Sequence, residues 1–434
     1  MHLFSTKDSE ARVSWSDGVL KGIAPDGGLL MPSHIPTLSR NQLNRLAGVP
    51  FPTLAYELAH LFLSPEVSDS ILADICSDAF AFDLPLKGIA PDTYILELFH
   101  GPTCAFKDFG ARFMARLFRH FLRNSSDPLT VLVATSGDTG SAVAHAFFDP
   151  SPNPPIRVAI LFPKGKVSAV QEKQMTTLQH NISTFEVDGT FDDCQALVKT
   201  ALTDKVLCGQ RAVTSANSIN IARLLPQMFY YIYASLKLPS SAPPVFSVPS
   251  GNLGNLTGGL IGHIMGMRAA RFIAACNINA PFPNYLLSGS YTPHSSHETL
   301  SNAMDVGAPS NFARIASLYG HDLTRMRSTI VGESISDDET IESIAATYRE
   351  TGYIADPHTA VGLLALRRYR EREGFTGPGI ALATAHAAKF SSTVERAIGL
   401  SPEVPPQIAN VCDKEGLKYP LRNSYDELRE RLIS

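Results

Sequence analysis

Glu97-Leu-Phe-His-Gly-Pro-Thr-Cys-Ala-Phe-Lys-Asp-Phe-Gly-Ala-Arg-Phe-Met-Ala-Arg-Leu117 is the stretch from which the fold is read. Residues 94–99 form an apolar run of strand length. His100-Gly101-Pro102-Thr103 breaks it, because glycine frees the backbone while proline fixes φ and removes a donor. From about Ala105, apolar Phe106, Phe109, Phe113, Leu117 and Phe121 recur at three- and four-residue spacing, which predicts a helix. Lys107 falls in its first turn, crowded by two phenylalanines. Lost hydration and the positive end of the helix both favour the neutral amine, which is the form a Schiff-base nucleophile needs. A solvated lysine on an amphipathic helix is the competing reading.

Outward from this stretch the chain repeats strand, loop and helix. Residues 130–134, 156–162 and 182–187 read as strands, with helices expected over 141–148, 168–180, 192–202 and a long one over 218–237. Residues 245–248, 271–275 and 379–384 read as further strands, with helices near 256–267, 388–398 and 424–432. This alternation implies βαβ units and a mainly parallel α/β sheet. Ahead of it, residues 39–47, 52–62 and 67–80 read as helices. Pro239-Ser-Ser-Ala-Pro-Pro244 is the strongest linker signal. The expected organisation is therefore a mostly helical N-terminal unit, 1–93, followed by two α/β lobes, 94–238 and 239–434.

A chain of 434 residues is long enough for two or three domains and a large core. Its 44% hydrophobic and 18% charged content excludes a disordered chain, and a net charge of −4 argues against nucleic acid or an anionic membrane as the main partner. Six cysteines at 76, 104, 194, 208, 276 and 412 have no C-x-x-C or zinc spacing, so no metal is expected. Lys7, Asp8, Glu10 and Arg12 stand where a signal peptide needs an apolar core, and no apolar run reaches the length of a membrane span. A reduced, cytoplasmic protein is expected, a monomer or homodimer with no added regulatory domain.

Pro249-Ser250-Gly251-Asn252-Leu253-Gly254-Asn255 lies between a strand and a helix. Glycines there let backbone N–H groups turn inward at a helix start, which makes either a phosphate cradle or an ordinary βα turn. Thr135-Ser136-Gly137-Asp138-Thr139-Gly140 offers hydroxyls and N–H groups at a second helix start, suited to a carboxylate or phosphate, or to N-capping by Ser136 or Thr139. Asp138 is odd in an anion site. Lys164, Lys166 and Arg223 are candidates for gripping a phosphorylated substrate or are ordinary surface charges. His100, His358 and His386 have no metal-ligand spacing and read as core or turn histidines.

The segment from His100 to Gly110 closely resembles the one carrying the cofactor lysine in threonine synthases, fold-type-II enzymes dependent on pyridoxal 5′-phosphate (PLP). Cys104 stands where that family often has leucine. Gly22 to Pro32 is similar to the opening of the bacterial and fungal type, and we assign it a structural role only. The resemblance implies a Schiff base on Lys107, and the cofactor phosphate on Gly251, Asn252, Leu253, Gly254 and Asn255, with Leu253 in place of phenylalanine. It further implies the substrate carboxylate on Thr135, Ser136, Gly137, Thr139 and Gly140, with Asp138 turned to the cofactor's ring hydroxyl. Thr384, in a Thr-Ala-His-Ala-Ala-Lys-Phe run where the family has proline for Ala387, would meet the ring nitrogen. Asn217, Ser218, Asn220 and Arg223 also match a family segment and, with Lys164, are expected around a small phosphoamino-acid substrate. Residues 299–306 and 356–360 look like family segments too, without a physical role. The implied reaction turns O-phospho-L-homoserine and water into L-threonine and phosphate. The alternatives are a related phospho-lyase or serine/threonine dehydratase, or an inactive PLP-binding protein.

Overall fold

A computed structural model describes residues 1–125, 127–239 and 242–433. Ser240 and Ser241, inside the expected linker, lie outside the described residues. In the N-terminal unit, β1 (Leu3–Ser5), β2 (Asp8–Val13) and β3 (Leu30–Pro32) make an antiparallel sheet in the order β2-β1-β3. Helices Trp15–Lys21, Arg40–Leu46, Phe51–Leu63 and Asp69–Ala79 complete the unit. The unit was expected to be mostly helical because three-residue strands, and a β2 made of Asp-Ser-Glu-Ala-Arg-Val, carry almost no apolar alternation.

The strands of the lobes follow in chain order. They are β4 (Leu86–Ala90), β5 (Thr93–Glu97), β6 (Leu129–Ala134), β7 (Ile156–Pro163), β8 (Ile182–Asp188) and β9 (Ala212–Ser215). After the linker come β10 (Val245–Pro249), β11 (Arg271–Cys276), β12 (Ile330–Ser334), β13 (Gly379–Ala383) and β14 (Tyr419–Arg422). Among the described residues, one sheet has the order β14-β8-β7-β6-β9 and is parallel throughout. The other runs β12-β11-β10-β13-β5-β4 and is parallel except for β4, antiparallel to β5 at the edge.

The two sheets do not follow the expected division at residues 93 and 238. β5 pairs with β13, Leu96 opposite Leu382, and so belongs with the C-terminal strands. β14 returns to lie beside β8, with Leu421 opposite Val187. Apolar runs reveal strands buried on both faces but say nothing about which strand lies alongside. The helix expected over 218–237 is two, Ile221–Leu224 and Gln227–Lys237, because Pro226 lacks the N–H and its ring obstructs a continuous helix. The helix expected over 388–398 begins as a 3₁₀ turn, Ala387–Phe390, before Ser391–Ile398. Among the described residues no helix is long and apolar enough to cross a membrane.

The lysine-bearing helix is Lys107–Leu122, and its spacing of phenylalanines sets how it sits. Phe109 and Phe113 are fully buried against the N-terminal unit and the helix Gln227–Lys237, while Phe118, also fully buried, packs on Phe147. The ring of Phe109 lies 5.7 Å from Phe51, 6.0 Å from Phe80, 5.0 Å from Phe82 and 5.3 Å from Tyr230. One ring thus locks the helix against three segments. Truncation by Phe109→Ala is expected to cost about 3–5 kcal/mol of stability, read as a lower midpoint in urea unfolding with an unchanged slope.

Candidate active site

A cleft of about 1160 Å³ opens between the two lobes and is closed on one side by the N-terminal unit. Lys107, first residue of its helix, reaches this cleft with its Nζ 4.4 Å from the centre of the Phe106 ring. Its pKa is lowered to about 8, first by burial and then by the nearby Arg223 cation, against a weaker pull from Asp138. The sequence reasoning had named burial and the helix end; the arginine was not foreseen.

The start of the lysine helix is stitched to the end of β13. Leu98 N–H donates to Ala383 O (2.9 Å), Phe106 N–H to Thr384 O (2.8 Å), and His386 N–H to Cys104 O (3.1 Å). Cys104 sits at φ +55, the left-handed turn that lets the chain re-enter the helix. Burial pushes its thiol up to about 12, which leaves it unreactive. Thr384, buried with its carbonyl in this seam, lines the same cleft as Lys107.

Across the cleft, residues Gly251 to Asn255 join β10 to the helix Gly254–Ile264. No acceptor among the described residues takes up the N–H groups of Gly251, Asn252, Leu253, Gly254 or Asn255. Five successive orphan donors at a helix start are a cradle for an oxyanion. Leu253 holds φ +61, and a Cβ on Gly251 would come within 2.7 Å of Met304 Cα. The side chains brace the loop instead of facing a ligand. Asn255 Nδ2 donates to Pro249 O (2.7 Å), and Asn252 Nδ2 donates to Ser218 Oγ (2.6 Å) while its Oδ1 accepts from Ser310 N–H.

The loop after β6 starts the helix Asp138–Phe147. Thr135 Oγ1 accepts from Gly137 N–H (2.9 Å) and Gly140 N–H (2.8 Å), so Thr135 stabilises the turn and neither Ser136 nor Thr139 acts as the N-cap. Gly137, at φ +138, is pressed against the amide of Gln171, and Gly137 and Gly140 contribute backbone behind the cleft wall. Ser136 and Thr139 line the cleft. Asp138 is no obstacle to an anion: Lys389 Nζ lies 2.6 Å from its Oδ1, with both side chains buried, and Gln171 Nε2 donates to the same oxygen at 2.9 Å. Lys389 also donates to Thr103 O (3.0 Å), which ties this loop to the lysine segment. Lys389 was quoted in the sequence only as part of a run and carried no role there.

Of the other expected residues, Asn217, Ser218 and Arg223 line the cleft. Asn217 Nδ2 donates to Ala134 O (2.7 Å), and Arg223 is 2% exposed with Nη1 donating to Ala216 O (2.6 Å) and Nε without a partner. Asn220 is buried away from the cleft and holds Val19 O and Ser215 O. Lys164 is exposed and does not line it, and Lys166 is occupied by Glu298 at 2.5 Å. Sequence reasoning missed His358, Met304 and Ser310, all in the wall, and gave residues 23–29 no part although Ile23, Ala24 and Leu29 line the cleft. Arg314 was also missed: fully buried, it clamps Leu30 O, Ser218 O and Ile219 O behind the cradle.

A desolvated lysine facing an open row of backbone N–H groups, between two parallel-sheet lobes, defines a fold-type-II enzyme that uses pyridoxal 5′-phosphate. The family model described as "Pyridoxal-phosphate dependent enzyme" matches residues 85–384, and those described as "Threonine synthase N terminus" and "Threonine synthase, C-terminal" match 2–80 and 359–431. The chain belongs to the threonine synthase family. It is 40% identical over 436 residues to threonine synthase of Escherichia coli (strain K12), with 100% of both chains covered. The crystal structure of the Escherichia coli threonine synthase superposes with a TM-score of 0.93 at 39% identity, over 100% of this chain and 99% of that one. A PLP-bound threonine synthase from Brucella melitensis gives 0.92 at 32% identity, with 100% and 99% covered.

Removing the amine that balances Asp138 isolates a buried charge. Lys389→Met is expected to destabilise the fold by about 3–5 kcal/mol, and the double change with Asp138→Asn to recover most of that loss, as measured by urea unfolding of the three variants.

Proposed function

We propose that the chain converts O-phospho-L-homoserine and water to L-threonine and phosphate. The observation that carries this reading is the Lys107 amine, with a pKa of about 8, facing the Gly251–Asn255 donors and the Ser136–Thr139 turn across one cleft. The residues fit the cofactor: N–H groups of Gly251 to Asn255 for its phosphate, the hydroxyl of Thr384 for its ring nitrogen, and Nζ of Lys107 for its aldehyde carbon. When bound, the cofactor serves as an electron sink for charge that develops on substrate carbons near the amine.

Backbone N–H groups of Ser136, Asp138 and Thr139 orient the substrate carboxylate at the start of a helix, while Gly137 N–H is held by Thr135 Oγ1. Asp138 stays ionised but neutralised by Lys389, so it steadies this turn without repelling the ligand. Nζ of Lys107 takes the α-proton and then carries protons for the β- and γ-carbons, a reach its four-carbon stem provides. Phosphate leaves from the γ-carbon and water adds at the β-carbon. Arg223, buried with an unspent Nε, is the cation best placed to hold the substrate phosphate, helped by Asn217 and Ser218. Lys164 and Asn220 are left out of this role by their positions. Ile23, Ala24 and Leu29 add apolar wall to the cleft. Six cysteines outside any disulfide support a reducing compartment, and we place the enzyme in the cytoplasm as a monomer or homodimer.

Supplied with O-phospho-L-homoserine, the enzyme is expected to release threonine and phosphate in equal amounts; accumulation of 2-oxobutanoate in their place would assign a dehydratase. Lys107→Ala is expected to lower threonine formation by roughly 10²–10⁴-fold or more and to abolish the visible absorption of the bound cofactor. Cofactor capture by the stripped chain is expected to speed up as pH rises through about 8, because the depressed lysine pKa makes the neutral amine the majority above that pH. A stopped-flow series between neutral and alkaline pH measures this.

A further inference from the structure

Two segments that resemble the family without an evident role, residues 299–306 and 356–360, meet at one hydrogen bond. Ala303 N–H donates to His358 Nε2 at 3.2 Å. A backbone amide is always a donor, so this nitrogen carries no proton and the ring hydrogen sits on Nδ1. Nδ1 accordingly donates to Asp356 Oδ1 at 2.8 Å. Asp356 is itself fixed as the N-cap of the helix Pro357–Glu373, where it accepts from His358 N–H (2.9 Å) and Thr359 N–H (3.3 Å). Both His358 and Asp356 are buried, so the ring cannot swing away to water.

What the ring holds is the turn that backs the oxyanion cradle. Around Gly251 a Cβ would lie 2.7 Å from Met304 Cα, 3.0 Å from Ala303 O and 3.1 Å from Val306 Cγ2. Residues 303–306 therefore press directly on the first residue of the donor row. The other end of the turn is gripped by Asp305, which accepts from Thr299 Oγ1 (2.7 Å) and Asn277 Nδ2 (2.8 Å). On the Ala303 side, Asn277 Nδ2 reaches Ser301 O (3.4 Å) and Oγ (3.2 Å), and among the described residues His358 is the side chain that hydrogen-bonds Ala303 itself. The geometry points to His358 as a positioning residue that, through Ala303 and Met304, sets the Gly251 end of the cradle and thereby the enzyme's preference for a phosphorylated cofactor. This rests on the assignment of Gly251 to Asn255 to the cofactor phosphate.

The test compares PLP with pyridoxal, which lacks the phosphate, by titrating the visible absorption of the full-length chain after the cofactor is removed. His358→Asn, too short to reach Ala303, is expected to weaken PLP binding roughly five- to tenfold and to leave pyridoxal binding unchanged. His358→Gln, which places an oxygen near the position of Nε2, is expected to restore PLP binding. Equal weakening of both ligands by His358→Asn, no weakening of either, or no difference between Asn and Gln would overturn the inference. Gly251→Ala separates it from its premise: this change is expected to erase the preference for PLP. If the preference survives Gly251→Ala, the cradle does not hold the phosphate; if it is lost there but kept in His358→Asn, only the role of His358 fails.

Discussion

Everything in this enzyme depends on a short hydrogen-bonded seam between two pieces of chain almost 300 residues apart. Residues 98–106 and 383–389 exchange backbone bonds from Leu98 to Ala383, Phe106 to Thr384 and His386 to Cys104. The seam fixes a reactive amine and a strand-end hydroxyl on one wall. Each is carried by an element that is immobile for other reasons: the lysine helix by its phenylalanine face, and β13 by its place between β10 and β5. Rigid supports of this kind are what let a flexible lysine side chain act within a fraction of an ångström. Between these supports the Gly251–Asn255 loop keeps its backbone donors unspent.

The charges around the cleft follow a consistent logic. Asp138 and Lys389 cancel one another out of water, so the loop behind them is held tightly without adding net charge to the wall. Arg223 and Arg314 are buried with carbonyl oxygens as their hydrogen-bond partners, and burial lowers their pKa to about 10 and about 9. Guanidinium groups satisfied by neutral acceptors leave positive potential in the site. That potential favours a doubly anionic ligand and disfavours protonation of the nearby lysine amine. A site that must hold two phosphates and a carboxylate gains from both effects.

Much of this was legible in the sequence. The lysine helix, the two glycine-bearing loops and the terminal threonine could be placed because each combines a break in periodicity with a chemically distinctive residue. Asp138 was read as an oddity because its partner, Lys389, is 251 positions away and no pattern links them. His358 looked like a turn histidine because its function lies in an acceptor nitrogen paired with a backbone amide, which has no sequence signature. Arg314 was invisible for the same reason, since its partners are mostly main-chain carbonyls. The long helix expected through Pro226 shows the opposite failing, where apolar periodicity was allowed to override a residue that cannot continue a helix.

The interleaving of the sheets has a consequence for how the protein is made. β5 needs β13 beside it, and β8 receives β14 only near residue 420, so each sheet waits for a strand made long after its first ones. A growing polypeptide would leave a slot between β10 and β5 until β13 is made, and an open edge at β8 until β14 is made. The lysine would emerge early yet wait for residues 383–389 before its surroundings exist, which delays acquisition of the coenzyme until that segment has been made.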